Sequence, residues 1–402
     1  MTHPAQRRIV TVLFFSQVLS GAGLAAGITV GALLAQDLLG STSLSGVPSA
    51  LFTGGSALTA VLVGRLSQAR GRRAGLTAGY LAGAAGSAGV ITAAAVDNPV
   101  LLFASLFVYG AGTATNLQAR YAGADLATPG ERARAVSTVL VATTLGGVVG
   151  PNLAAPTGRV ARGLGLPDLA GPFLLAGTAY VLAAVVLAVF LRPDPLLLAL
   201  SEHRAAAMAN PEPEPAAQTG PGVLAGAVTM VVTQLVMVAI MTMTPVHIHD
   251  HGHGTAAAGV VIAVHIAAMY LPSPLTGILV DRVGRTALAT ASGVTLLLAG
   301  VVAAAAPADS VVVLATALAL LGLGWNFGLV AGTAMITDAV PLATRARTQG
   351  AVDVAIAVSG ATGGVASGLV MSAAGYATLG LVGGALALAL LPVLAASRAR
   401  TP

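Results

Sequence analysis

The chain has 402 residues, of which 56% are hydrophobic and only 8% charged, and its mean hydropathy is +0.89. Soluble domains carry roughly a quarter charged residues, so this composition cannot cover a water-exposed surface, and the same numbers exclude disorder. The chain reads as an all-α integral membrane protein whose main solvent is lipid. It has no Cys, which removes disulfides, thiolate metal sites and cysteine catalysis. All 19 basic residues are Arg, and the net charge is +5. They recur in short loops rather than on one basic face, so nucleic acid is excluded as a partner.

In chain order, apolar runs fall at about 10–35, 46–66, 74–95, 99–122, 134–156 and 170–191, then at 223–246, 255–279, 287–306, 310–336, 349–372 and 375–396. Each is long enough for one membrane helix of about 20 residues. The first follows Arg7 and Arg8 and has no small-residue cleavage site, so it reads as a permanent span and not as a removed signal peptide. Between the sixth and seventh runs lies NPEPEP, in which Pro211, Pro213 and Pro215 alternate with Glu212 and Glu214. This Pro-rich polar stretch predicts an extended linker over 192–222, not a helix. It divides the chain into an N-terminal six-helix bundle, 1–191, and a C-terminal one, 223–402. Arg placement sets the orientation: with the N-terminus inside, 17 of the 19 lie at the inner face, and only Arg159 and Arg162 fall outside. The expected location is the cell inner membrane, multi-pass, with both termini and the linker cytoplasmic, and the expected state is a monomer.

The two halves repeat. Gly64, Arg65 and Gly71–Arg73 follow the second run, and Gly277, Asp281, Arg282, Gly284 and Arg285 follow the eighth, 213 positions later. Asp125, Arg132 and Arg134 follow the fourth run; Asp338, Arg345 and Arg347 follow the tenth at the same offset. Loops that merely collect arginine would not also match Gly and Asp. The pattern GxLxDRxGR at 277–285, after the second helix of a six-helix unit, resembles the major facilitator superfamily. The first copy departs from it, with Gln68 and Ala69 in place of Asp-Arg. The resemblance implies twelve transmembrane helices in two bundles around a central site that opens alternately to each side. It also makes Gly277, Asp281, Arg282, Gly284 and Arg285 the cytoplasmic gate, with a charged latch in one half alone. Gly146-Gly-Val-Val-Gly150-Pro151 partly resembles the fifth-helix motif of drug–proton antiporters, but close helix packing is the simpler reading.

Specificity in such a protein rests on the few polar or soft residues within its helices. Ten of the sixteen Met and His fall between 230 and 269. Met230, Met237 and Met241 share one helical stripe, and His265 and Met269 are i,i+4 on the next run. At about 1.5 Å per residue from Pro245 and from Thr255, Met237 levels with His265 and Met230 with Met269. Thioether and imidazole select Cu(I), and several weak sites suit conduction. MxxxM followed by HxxxM resembles the CcoA-like bacterial copper importers, and by that resemblance Met237, Met241, His265 and Met269 contact the metal. The same broader group includes riboflavin transporters, which keeps the substrate open. His247, His249, His251 and His253 form an external loop suited to metal capture, to pH sensing or to neither.

The remaining intramembrane polar residues fit many substrates. Gln17, Asn116, Gln118, Gln234 and Asn326, with Met230, lie on the first, fourth, seventh and tenth runs and are candidate cavity residues. Asp353 in the eleventh run either couples protons or pairs with an Arg, for which Arg120 is a candidate. There is no phosphate-binding Gly-Lys-Ser/Thr loop and no HExxH, so neither ATP-driven pumping nor enzyme chemistry is expected. The expected function is secondary transport of copper inward by alternating access, with copper as substrate and no resident cofactor. The alternative is proton-coupled transport of a small organic molecule such as a flavin or drug.

Overall fold

The computed structural model describes residues 3–39, 47–209, 221–252, 255–307 and 310–398, with some side chains in the first, second, fifth, ninth and fourteenth helices left aside. Among them the regular structure is helical. The helices are α1 (Gln6–Leu39), α2 (Val47–Arg70), α3 (Arg72–Ala95), α4 (Pro99–Ala124), α5 (Arg132–Gly163), α6 (Gly171–Phe190), α7 (Pro195–Ala209), α8 (Pro221–Asp250), α9 (Thr255–Tyr270), α10 (Ser273–Val283), α11 (Arg285–Ala305), α12 (Val311–Ala339), α13 (Arg345–Ala387) and α14 (Leu390–Arg398). Each of the twelve apolar runs is helical. Nine stretches of the described residues are long and apolar enough to cross a membrane, three of them composites over 168–209, 257–283 and 345–396. Helices satisfy their own backbone groups, which lipid cannot do. Side chains such as Leu58, Leu62, Val185 and Val294 are exposed on outer helix faces, as a lipid-facing surface requires.

Four boundaries differ from the sequence expectation. The eighth run is two helices, because Pro272 ends the first and Pro274 opens the second. The eleventh and twelfth meet at Gly375 (φ 80°), a conformation open to glycine without strain. The seventh does not stop at 246; α8 carries Pro245 inside it and continues to Asp250. The expected extended linker contains a helix, α7, for a local reason: Asp194 accepts the backbone N–H groups of Leu196 and Leu197 (both 3.1 Å), and Pro195 suits the first helical position. Residues 210–220, including the Pro-Glu alternation, lie outside the described residues.

The chain forms two compact units. One comprises 1–128, 138–214 and 342–357, and the other 129–137, 215–341 and 358–402. The core of the first holds Tyr80, Tyr109, Phe173 and Tyr180, all buried, with ring centroids 5.4–5.8 Å apart. Gly112 of α4 lies against the Tyr180 ring, where a Cβ would collide. Gly146 of α5 meets the backbone of Val18 and Ala22, and Gly21 meets that of Thr143, so this part of the fifth-helix motif is a close helix contact. In the second unit α12 packs against α8, α9 and α11.

Candidate functional site

In the first unit the polar residues of α1, α3, α4 and α5 form one buried network. Gln17 Nε2 donates to the Asn116 carbonyl (3.0 Å) and to Thr143 Oγ1 (3.2 Å). The Tyr80 hydroxyl donates to Gln17 Oε1 (2.6 Å) and lies 2.9 Å from Ser20 Oγ, and Asn116 Nδ2 donates to Ser20 Oγ (2.8 Å). Gln17 and Asn116, both candidate cavity residues, thus bond to each other within this network. Gln118 does not join them: its Nε2 donates to the Ala60 carbonyl of α2 (2.7 Å). Ser20, Tyr80 and Thr143 were not singled out by sequence reasoning, since hydroxyls are common in membrane helices and no spacing marks them.

The same unit contains two buried ion pairs. Arg72 holds Asp125 through Nε (2.7 Å) and Nη2 (3.2 Å), and Nη2 also donates to Gln349 Oε1 (2.5 Å). Arg120 Nη2 donates to Asp353 Oδ1 (2.7 Å), which also accepts from the Tyr121 hydroxyl (3.2 Å). Asp353 Oδ2 is buried with no hydrogen-bond partner among the described residues. Asp353 is therefore paired with Arg120, the candidate partner in one of the two readings of this acid.

The repeated motifs produce matched contacts. In the first unit Gln68 Oε1 accepts the N–H of Ala346 (2.9 Å) and its Nε2 donates to the Leu342 carbonyl (3.1 Å). In the second unit Asp281 accepts the N–H groups of Ala133 (3.2 Å) and Arg134 (3.0 Å). Arg285 Nε donates to Asp338 Oδ2 (2.8 Å), repeating Arg72 with Asp125, and Arg132 also binds Asp338. Gly277 passes so close to Ala133 and Ser137 that a Cβ would collide. Gly284 turns the chain between α10 and α11 at φ 107°. Arg282 is exposed, and Arg285 is the arginine of this motif that makes the bonds. Gln68, a departure from the motif, nevertheless occupies the cap position, because its amide oxygen accepts as a carboxylate does. The common offset of Arg72/Arg285 and Asp125/Asp338 was a signal that could have found these pairs.

In the second unit α8 and α9 both pack chiefly on α12. His265 is fully buried; its Nδ1 lies 2.8 Å from the Leu318 carbonyl, and its Nε2 has no partner among the described residues. A carbonyl can only accept, so Nδ1 carries the proton and Nε2 keeps its lone pair. Met237 and Met269 are buried and Met241 is half-buried. Met230 packs on Gly332 and its sulfur accepts from Thr333 (3.5 Å), whereas the Met269 carbonyl accepts from Asn326 (2.7 Å). Those α12 positions are about 9 Å apart along the axis, so Met230 and Met269 do not level. The reason is the greater length of α8. Counted from Asp250 at about 1.5 Å per residue, Met241 levels with His265 and Met237 with Met269.

The expected histidine loop is partly helix. His247 and His249 lie in the last turns of α8, and His253 falls outside the described residues. No group of three His, Cys, Asp or Glu suited to a metal occurs among the described residues. Elsewhere in the unit Asn326 is locked by Thr276, Ser273 and the Met269 carbonyl. Gln234 Oε1 accepts from the indole N–H of Trp325 (2.8 Å), and Trp325 packs edge-on against Tyr270, with centroids 5.5 Å apart. This trio joins two π-faces to one amide. The lone Trp was visible in the sequence, but nothing there linked it to Gln234.

The sequence model of the Major Facilitator Superfamily matches residues 13–327 and, overlapping, 226–402. The chain belongs to the major facilitator superfamily. This facilitator is 56% identical over 402 residues to the uncharacterized MFS-type transporter YdeG of Bacillus subtilis, covering 98% of this chain and 93% of that one. It is 32% identical over 395 residues to the riboflavin transporter RfnT of Brucella anthropi, covering 97% and 96%. In fold it is similar to the human organic anion transporter MFSD10, with a TM-score of 0.79 over 98% of this chain and 100% of that one at 17% identity. The facilitator is accordingly a multi-pass membrane transporter and not an enzyme. The expected kinship with copper importers finds no support among these relatives.

Proposed function

We propose that this facilitator carries a small, planar organic molecule by alternating access, with Gln234, Trp325 and Tyr270 contacting it. The observation that carries this reading is the full-length likeness to a riboflavin transporter. The Trp325–Tyr270 pair with the Gln234 amide adds chemical support, because aromatic faces stack on fused rings while an amide meets ring N–H and C=O groups. Gln17, Asn116 and Asn326 are instead spent on internal hydrogen bonds and hold helices together. Uptake of radiolabelled riboflavin by a strain lacking its own importer tests the proposal. Uptake above empty vector that falls with Trp325→Ala supports it; uptake equal to vector excludes riboflavin as substrate.

Copper remains a second reading on one observation: the buried His265 Nε2 presents a free lone pair at the level of Met241. Radiocopper uptake with His265→Ala and Met237→Ala beside it decides between the two. Uptake at the vector level eliminates copper, and uptake unaffected by both substitutions eliminates these ligands.

A further inference from the structure

We infer that His247 and His251 form a site for a divalent transition-metal ion, of which Zn²⁺ is the probe, at the end of α8. The two residues are i,i+4, His247 in the last turns of α8 and His251 in the turn that directly follows it, and their ring centroids are 4.3 Å apart. His251 Nδ1 lies 2.8 Å from the His247 carbonyl. That contact places the proton of the neutral ring on Nδ1 and leaves Nε2 as the ligand atom, the arrangement by which metal-binding histidines are commonly oriented. The His247 ring stacks on Tyr376, with centroids 4.3 Å apart and an 11° interplanar angle. Tyr376 is itself buried and bonded through its hydroxyl to Thr244 (2.8 Å), one turn before His247 on α8. Both imidazoles are thus held before any ion arrives, which lowers the ordering cost of binding.

The remaining ligands are water, since no third protein ligand is gathered there among the described residues. Two imidazoles suit Zn²⁺, Cu²⁺ or Ni²⁺, while Mg²⁺ and Ca²⁺ prefer oxygen. His249 is exposed two residues from His247, about 200° around the helix, and is not a ligand. Asp250, at i+3, places a carboxylate on the same face and favours a cation. A bound ion bridges successive turns just beyond Pro245, where the helix lacks one backbone N–H. The site is separate from His265 and does not depend on what the protein transports.

The test is calorimetric titration of ZnCl₂ into the tag-free full chain in detergent after chelator treatment. One equivalent should bind; His251→Ala and His247→Gln should each weaken binding at least tenfold, and His249→Ala should leave it unchanged. Zn²⁺ should also raise the thermal unfolding midpoint of the unaltered protein but not of His247→Gln, each compared with its own metal-free sample. Absence of binding to the parent, or binding that survives both His251→Ala and His247→Gln, overturns the site.

Discussion

Asp281 accepts the backbone N–H of Ala133, and exactly one repeat away in sequence Gln68 accepts that of Ala346. Both side chains neutralise amides that the first turn of a helix leaves without partners. Asp281 adds a negative charge beside a positive helix terminus, and Gln68 does not. Removing a capping side chain costs about 0.5–2 kcal/mol. Asp281→Ala should therefore lower the thermal unfolding midpoint of the detergent-solubilised chain by a few degrees. Asp281→Asn should keep most of the stability, and Gln68→Asp should raise it slightly. Equal midpoints for Asp281→Ala and the parent would remove the cap from the account.

Arg120 and Asp353 are both buried, and their pairing is satisfied only while both are present. Breaking a buried ion pair by removing one partner costs about 3–5 kcal/mol, because an uncompensated charge is left behind. Arg120→Met alone should reduce folded yield and thermal stability sharply. Arg120→Met combined with Asp353→Leu should recover much of the loss. A double variant as damaged as the single one would show that the pair acts through something other than mutual compensation.

Gly112 of α4 faces the Tyr180 ring, which reaches it from α6. Forcing a methyl group into a filled core costs about 1–3 kcal/mol. Gly112→Ala should destabilise by that amount, and Gly112→Ala with Tyr180→Leu by less, since the opposing ring is then gone. Gly147→Ala serves as the control, because nothing among the described residues lies within 4 Å of a Cβ at that position. Chemical unfolding of all three checks the ordering.

Trp325 contributes both an aromatic face and an indole N–H that holds Gln234. On the organic-substrate proposal, Trp325→Phe should keep the stacking surface, release Gln234 and raise KM several-fold. Trp325→Ala should lose both contacts and depress transport further. Equal KM values for Trp325→Phe and the parent would mean that Gln234 is not oriented for substrate by this bond.

Much of the architecture was legible in the residues alone. Twelve runs of about 20 apolar residues bury their backbone polar groups as helices wherever they sit, so length and hydropathy determine them locally. The 213-residue repeat, carried by Gly64/Gly277 and Asp125/Asp338, likewise needed no coordinates. Two local signals were passed over: Asp194-Pro195, which starts α7, and Pro272, which ends α9.

Other features depend on which helix faces which, and no local pattern encodes that. The partner of Arg120 lies 233 residues away. The level of Met237 against Met269 rests on where α8 ends and on how α12 packs with both neighbours. Gln68 broke the motif on paper, yet it retains the cap because the backbone of Ala346 is brought to its amide oxygen. The sequence by itself thus determined the membrane solvent, the helices and their duplication, since apolar burial and backbone satisfaction act over one segment at a time. Only the tertiary structure decided the ion pairs, the caps and the candidate contacts, because hydrogen bonds need atoms within about 3 Å, and packing alone sets such distances between remote segments.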